Sequence, residues 1–162
     1  MPEVEIRLAT EEDVPLILRF IKQLAEYERL SHEVVATEES LRDSLFGEFR
    51  VAETLLAYLG DEPAGFALFF HNFSTFLGKP GIYLEDLYVS DEFRGAGVGR
   101  SLLAHLAKLA GKRGCGRLEW WVLDWNEPAI DFYKSLGAQP MDDWTVYRVA
   151  GEELHKLASG AA

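Results

Sequence analysis

The amino-acid sequence predicts an α/β (α+β) fold, a mixed twisted central sheet with helices on both faces. Three observations point there. Strand-like and helix-like stretches interleave in the order β-α-α-β-β-β-α-β-α-β, which calls for a sheet covered by helices. No repeat or linker-like stretch interrupts the 162 residues, a length that one hydrophobic core can serve. A glycine-rich run also stands between an apolar strand and an apolar helix.

The elements follow in order. "VEIRLA" alternates and reads as a strand. Thr10, with Asp13 three residues on, resembles a capping box that opens a helix. Behind it, "VPLILRFIKQLAEYERL" places Leu16, Phe20, Leu24 and Tyr27 near one helical face. Thr37 caps a second, shorter helix that runs through Leu45. "RVAETLLAYLG", "DEP" and "AGFALFFHNF" read as strand, turn and strand, and "GIYLEDLYVS" as a third apolar strand. The helix "GRSLLAHLAKLAGKRG" ends in basic residues and Gly114. "RLEWWVLD" is another strand. "NEPAIDFYKSLG" is a short helix with Asn126 as cap, Pro128 in its first turn and Gly137 at its exit. "WTVYRVA" reads as a last strand and "EELHKLA" as a tail helix.

Composition narrows the function. The net charge of -11 opposes a nucleic-acid protein, which carries a basic face, and suits cationic small molecules. Hydrophobic residues at 48% are ordinary for a globular chain, and no apolar run approaches the roughly 18 residues of a membrane span. The amino end has neither basic start nor apolar signal core, so the expectation is a cytoplasmic protein without membrane attachment. The single cysteine, Cys115, allows no internal disulfide. His32, His71, His105 and His155 show no ligand spacing, so no metal is expected.

The run "FRGAGVGRSLL" at residues 93–103 is the most informative. Backbone N–H groups at the start of a helix lack internal partners and sit at the positive end of its dipole, so an anion fits there. Glycine lets the main chain approach a phosphate closely. A P-loop fails, because Arg94 stands where it needs glycine and Arg100 where it needs lysine. A dinucleotide fingerprint fails because Arg100 and Leu102 occupy its third glycine positions, although Glu119 lies about where its ribose-binding acid would be.

The spacing that fits is Arg94-x-x-Gly97-x-Gly99. It resembles the pyrophosphate signature of the GCN5-related N-acetyltransferases. "LAEYERL", "YLEDLYV" and "LDWNEPAIDFYKSLGA" are similar to the spermidine/spermine (diamine) and thialysine acetyltransferase branch. The resemblance covers essentially the whole chain and implies a single N-acetyltransferase domain over residues 1–162 with acetyl-CoA as co-substrate. It implies that main-chain amides of Arg94, Gly95, Ala96, Gly97, Val98, Gly99 and Arg100 hold the pyrophosphate. Leu87, Tyr88 and Val89 would pair with the pantetheine arm, and Asn126 would contact it.

Acetyl transfer to an amine requires an ammonium of pKa near 10 to lose a proton, an oxyanion to meet a donor, and a thiolate to leave. "YLEDLYV" offers Glu85 and Asp86 as base. Strand neighbours face opposite ways, so one of the two is expected in the cleft, and the resemblance selects Glu85. Tyr133 matches the tyrosine that the family uses beside the sulfur, also a coenzyme contact. The Leu87 amide is the expected oxyanion donor. No Ser–His or Cys–His arrangement suggests a covalent acyl-enzyme, so the amine attacks directly.

Tyr27, Glu28, Glu85, Glu119, Trp120 and Trp121 match substrate-contacting positions of the branch. Of the two tryptophans, one is expected in the core. "MDDW" is shorter than the acidic stretch of polyamine enzymes, so Asp142 and Asp143 stay open as contacts, and "VLDWN" is closer to the thialysine branch. The expected acceptor is a small amine: a diamine or polyamine, or a thialysine- or lysine-like amino acid. Acetylation of a protein lysine or amino terminus, and a non-catalytic CoA-binding module, are the alternatives. The resemblance also implies a homodimer.

Overall fold

The chain divides into two compact units, Met1–Leu123 and Asp124–Ala162; a computed structural model describes residues 3–160. The first unit holds β1 (Val4–Leu8), α1 (Val14–Tyr27), α2 (Glu38–Phe46), β2 (Glu53–Leu59), β3 (Glu62–Ser74), β4 (Lys79–Val89), α3 (Val98–Lys112) and β5 (Leu118–Trp120). The five strands form one sheet in the order β1-β2-β3-β4-β5. β1 to β4 pair antiparallel, and β5 joins β4 in parallel. The expected mixed sheet is present.

Local chemistry explains the helix starts. Asp13 Oδ2 accepts from the Thr10 amide at 2.8 Å and closes a short 3-10 turn ahead of α1. Ahead of α2, Thr37 Oγ1 accepts from the Ser40 amide at 3.0 Å while Ser40 Oγ accepts from the Thr37 amide at 2.9 Å. Two otherwise orphaned donors are satisfied reciprocally.

One face of the sheet packs on α1 and α2. Ile17, Phe20 and Leu24 meet Leu45, Leu56, Phe66, Leu68 and Tyr88 in one cluster, with Phe20 stacked on Phe66 at 5.6 Å. Fully burying such side chains contributes roughly 1.5–3 kcal/mol each. α3 packs against β1, β3 and β4 and buries Val98, Leu102 and Leu106.

A bulge in β4 reverses this strand's facing. Asp86 pairs with Leu68, but Phe69 pairs with Leu84, so Glu85 is an extra residue without an opposite number. Leu68 belongs to the α1 cluster, so its strand neighbour Phe69, and Leu84 opposite, face the other way. Asp86 and Tyr88, beyond the bulge, return to the α1 face.

β5 is shorter than the sequence suggests. Its ladder comprises Ile82 with Leu118, Tyr83 with Glu119 and Leu84 with Trp120. It ends where the bulge turns β4 away, since a bulge bends its strand and terminates regular pairing.

The second unit contains α4 (Glu127–Ser135) and α5 (Gly151–Ser159). Asn126 Oδ1 accepts from the Ala129 amide at 3.3 Å, as expected of a cap. The strand expected over "WTVYRVA" does not form. Residues 141–150 are exposed throughout, Tyr147 at 94%, and no described strand pairs with them. An alternating pattern becomes a strand only when another strand satisfies its backbone. The observed order is therefore β-α-α-β-β-β-α-β-α-α.

Candidate active site

The glycine run forms an open backbone turn before α3. Gly95 and Gly97 adopt φ of 83° and 82°, a left-handed conformation costly for residues with a Cβ. A Cβ at either position would meet nothing within 4 Å, so packing inside the protein does not demand these glycines. Gly97 is the N-cap of α3, and its carbonyl accepts from the Ser101 amide at 3.0 Å. The amides of Val98, Gly99 and Arg100 precede the first helical bond and have no partner within the helix.

Arg94 is braced beside the turn. Its Nε donates to the Val89 carbonyl at 3.2 Å, its guanidinium pairs with Asp91 at 3.0 Å, and it lies 4.7 Å from the centre of the Tyr27 ring. Arg100 is exposed. Positive dipole, accessible amides and two arginines fit a diphosphate.

β4 continues from Glu85 to Val89 after its last pair with β5. The Ser90 amide donates to the Ala64 carbonyl of β3, and a Cβ on Gly65 would collide with the Tyr88 carbonyl. Ser90 and Tyr88 therefore turn their main chain toward β3. Alternation turns those of Val89 and Leu87 to the opposite edge, the side that β5 has left. Of the three residues expected to pair with an extended ligand, Leu87 and Val89 face the edge that no strand covers, where the Val89 carbonyl accepts from Arg94 Nε. Tyr88 does not, and its side chain lies in the core.

The carboxylates gather on the α1 face. Glu85 is exposed at the bulge, whereas Asp86 is partly buried. Burial, then the charges of Glu85 and Glu28, push the Asp86 carboxyl up from 3.8 to about 7. Burial also raises Glu28, at the end of α1. Strand alternation had allowed only one of Glu85 and Asp86 into a cleft. The bulge breaks that alternation, and both carboxylates act on the same surroundings.

Tyr83 stands beside them. Burial and then the charges of Glu85, Glu119 and Asp86 raise its phenol. Its ring meets Phe70 at 5.1 Å and the edge of Trp121 at 5.7 Å. Glu119 Oε1 accepts from Asn72 Nδ2 at 3.3 Å. Glu119 and Trp121 thus lie on the Tyr83 side of the sheet, and Trp120 on the other. Neither tryptophan is core: Trp120 is half-buried and Trp121 is 58% exposed. Tyr83 and Asn72 are additions to the residues the sequence offered, and Asp86, offered there beside Glu85 but not selected, joins them, because only the bulge and ladder register place them there.

In the second unit, Asn126 is 6% exposed. Tyr133 is half-buried on α4, its ring 5.7 Å from Phe132. Asp142 and Asp143 are exposed in the segment before α5. Among the described residues, no group of three or more His, Cys, Asp or Glu is arranged to hold a metal ion. No described helix is long and apolar enough to cross a membrane.

Known proteins resemble this chain in sequence and fold. The profile of the acetyltransferase (GNAT) family matches residues 21–138. A thialysine N-epsilon-acetyltransferase of Bos taurus is 41% identical, over 98% of this chain and 99% of its own. An L-ornithine N5-acetyltransferase of Arabidopsis thaliana is 35% identical, over 94% of this chain and 86% of its own. The solved structure of an integron cassette protein from the mobile metagenome of V. cholerae superposes with a TM-score of 0.79 at 33% identity, covering 96% of this chain and 97% of that one. With a matched profile and relatives of nearly equal length, this chain is an enzyme that N-acetylates amines, and it belongs to the acetyltransferase (GNAT) family.

Proposed function

We propose that the chain transfers acetyl from acetyl-CoA to the primary amine of a small cationic acceptor, of the thialysine, basic amino acid or polyamine kind. The observation that carries this reading is the opening of β4 at Glu85: one distortion frees the Leu87 and Val89 edge and puts Asp86 among carboxylates. The amides from Arg94 to Arg100 would hold the diphosphate, and Leu87 and Val89 the extended arm. Acetyl-CoA supplies the acetyl group as a thioester.

Glu28, Glu85 and Asp86 bind the incoming ammonium by charge. Asp86, whose carboxyl sits near 7, takes the ammonium proton, since a base works best with a pKa near the working pH. Glu85 reinforces it as a second carboxylate, directly or through water. The Leu87 amide donates to the oxygen that gains charge, and Tyr133 donates its phenolic proton to the departing sulfur. Tyr27 supports the site through Arg94.

The profile match at residues 21–138 crosses from one compact unit into the other, which supports residues 1–162 acting as one domain. The family resemblance further suggests a cytoplasmic homodimer. Light scattering should give about twice the chain mass of 18.3 kDa.

The deciding experiment follows thiol release from acetyl-CoA with thialysine, lysine, ornithine, putrescine, spermidine and a lysine-containing peptide. Release with small amines is expected. Release with the peptide alone would favour a protein acetyltransferase, and coenzyme binding without release would favour a non-catalytic module.

A further inference from the structure

We infer that Tyr83 is a specificity-determining residue: its ring is the surface along which the acceptor's carbon chain lies, and it leads to Glu119, which holds a second ammonium. This rests on the acetyl-transfer reading above and adds how the acceptor is chosen.

The ladder register supplies the geometry. Tyr83 sits directly beside Glu119 across the β4–β5 pair. Phe70 of β3 and Trp121, just beyond β5, wall its ring on both sides, leaving a half-buried aromatic strip. An aliphatic chain covers such a strip favourably, and a cation is attracted to an aromatic face. The Tyr83 hydroxyl makes no hydrogen bond to another described residue, and among the described residues no Lys or Arg forms an ion pair with Glu28, Glu85, Asp86 or Glu119. The strip therefore runs from the group of Glu28, Glu85 and Asp86 to Glu119, four carboxylates with which no described Lys or Arg forms an ion pair. Asn72 steadies Glu119 through one oxygen and leaves its other acceptor positions to a ligand.

The spacing sets a length. Asp86 lies two regular steps along β4 from Tyr83 once the bulge is discounted, about 6.6 Å, and Glu119 lies one strand over, about 4.8 Å. The diagonal is about 8 Å. Single bonds near 1.5 Å advance an extended chain by a little over 1 Å each, and each nitrogen lies just inside its carboxylate, so acceptors with five or six bonds between their nitrogens fit. Short diamines and basic amino acids carrying an α-ammonium meet that condition.

The test compares 1,4-diaminobutane with n-butylamine, which differ only in the second ammonium. The parent enzyme should favour the diamine in kcat/KM. Glu119→Gln should lower the diamine-to-monoamine ratio at least tenfold, chiefly through KM. Tyr83→Leu should raise KM for both amines at least fivefold, and Tyr83→Phe, which keeps the ring, should stay within about threefold of the parent. Thermal unfolding and acetyl-CoA binding by calorimetry confirm that each variant folds, and Glu119→Gln provides the test if Tyr83→Leu does not. An unchanged ratio in Glu119→Gln, or Tyr83→Leu indistinguishable from the parent, overturns the inference while leaving acetyl transfer intact. No thiol release by the parent with either amine, or with the wider panel, would instead remove the underlying reading.

Discussion

Replacing Asp86 by asparagine separates the electrostatics of the site from its packing, because the two side chains have nearly the same shape. Folding raises the carboxyl from 3.8 to about 7, through burial first and the neighbouring Glu85 and Glu28 charges second. The folded form therefore holds a proton between those two values that the unfolded chain has lost, and stability falls as pH rises across that window. The gap corresponds to about 4 kcal/mol at 1.36 kcal/mol for each tenfold step in proton affinity. Asp86 keeps some contact with water, which screens part of this, so a net cost of about 2 kcal/mol at pH 8 is expected.

Asp86→Asn removes the cost. Urea unfolding should show the variant close to the parent near pH 4 and about 2 kcal/mol more stable at pH 8, the difference opening between those values. Kinetics should move the other way. The parent's kcat/KM should fall on the acid side with a midpoint near 7, and the variant should lose that limb and about 10²–10⁴-fold in rate, the usual worth of a general base. Glu85→Gln removes a like charge from beside Asp86, so its acid limb should shift to lower pH with a smaller loss of rate. A stability difference between Asp86→Asn and parent that stays constant with pH would refute the electrostatic account. A full loss of rate in Glu85→Gln alone would transfer the base role to Glu85.

Other predictions concern separate parts of the molecule. Tyr133→Phe should lower kcat far more than it changes the amine KM, since the hydroxyl is needed only as the sulfur departs; unchanged turnover would remove Tyr133 from the reaction. Gly97→Ala should cost about 1 kcal/mol in thermal unfolding for its left-handed backbone and raise the acetyl-CoA KM about tenfold, because the new Cβ enters open space beside the amides. Arg113 binds Glu53 through two hydrogen bonds of 2.7 and 2.9 Å, and these hold the Glu53 carboxyl below its ordinary 4.5. That contribution is present above 4.5 and lost as pH falls through the lower folded value, so Arg113→Ala should cost about 1 kcal/mol at pH 7 and progressively less in acid.

The sequence was most legible where local chemistry is decisive. The caps at Thr10, Thr37 and Asn126 were visible because a short polar side chain three residues from its partner is a purely local device. The glycine turn before α3 was visible because its glycines and its position before a helix are both written in order along the chain. The β2–β3–β4 meander followed from three apolar runs, the first two joined through "DEP".

The last strand was misread for the opposite reason. Val146, Tyr147 and Val149 have strand character, but pairing depends on a partner that local pattern does not specify. The same limit applied to β4, whose alternation sorted Glu85 and Asp86 onto opposite faces. The extra residue opposite Leu68 and Phe69 is a property of the ladder, so the grouping of Tyr83, Asp86 and Glu119 could not be seen beforehand.

By itself, then, the sequence determined the class of fold, the glycine turn ahead of α3 and the kind of chemistry, since these rest on residue types at short separations. Tertiary structure alone decided which carboxylate is raised toward neutral pH, which main-chain groups of β4 remain open, and which aromatic ring borders Glu119. All three follow from how strands register across a sheet, and register is set by the packing of distant residues.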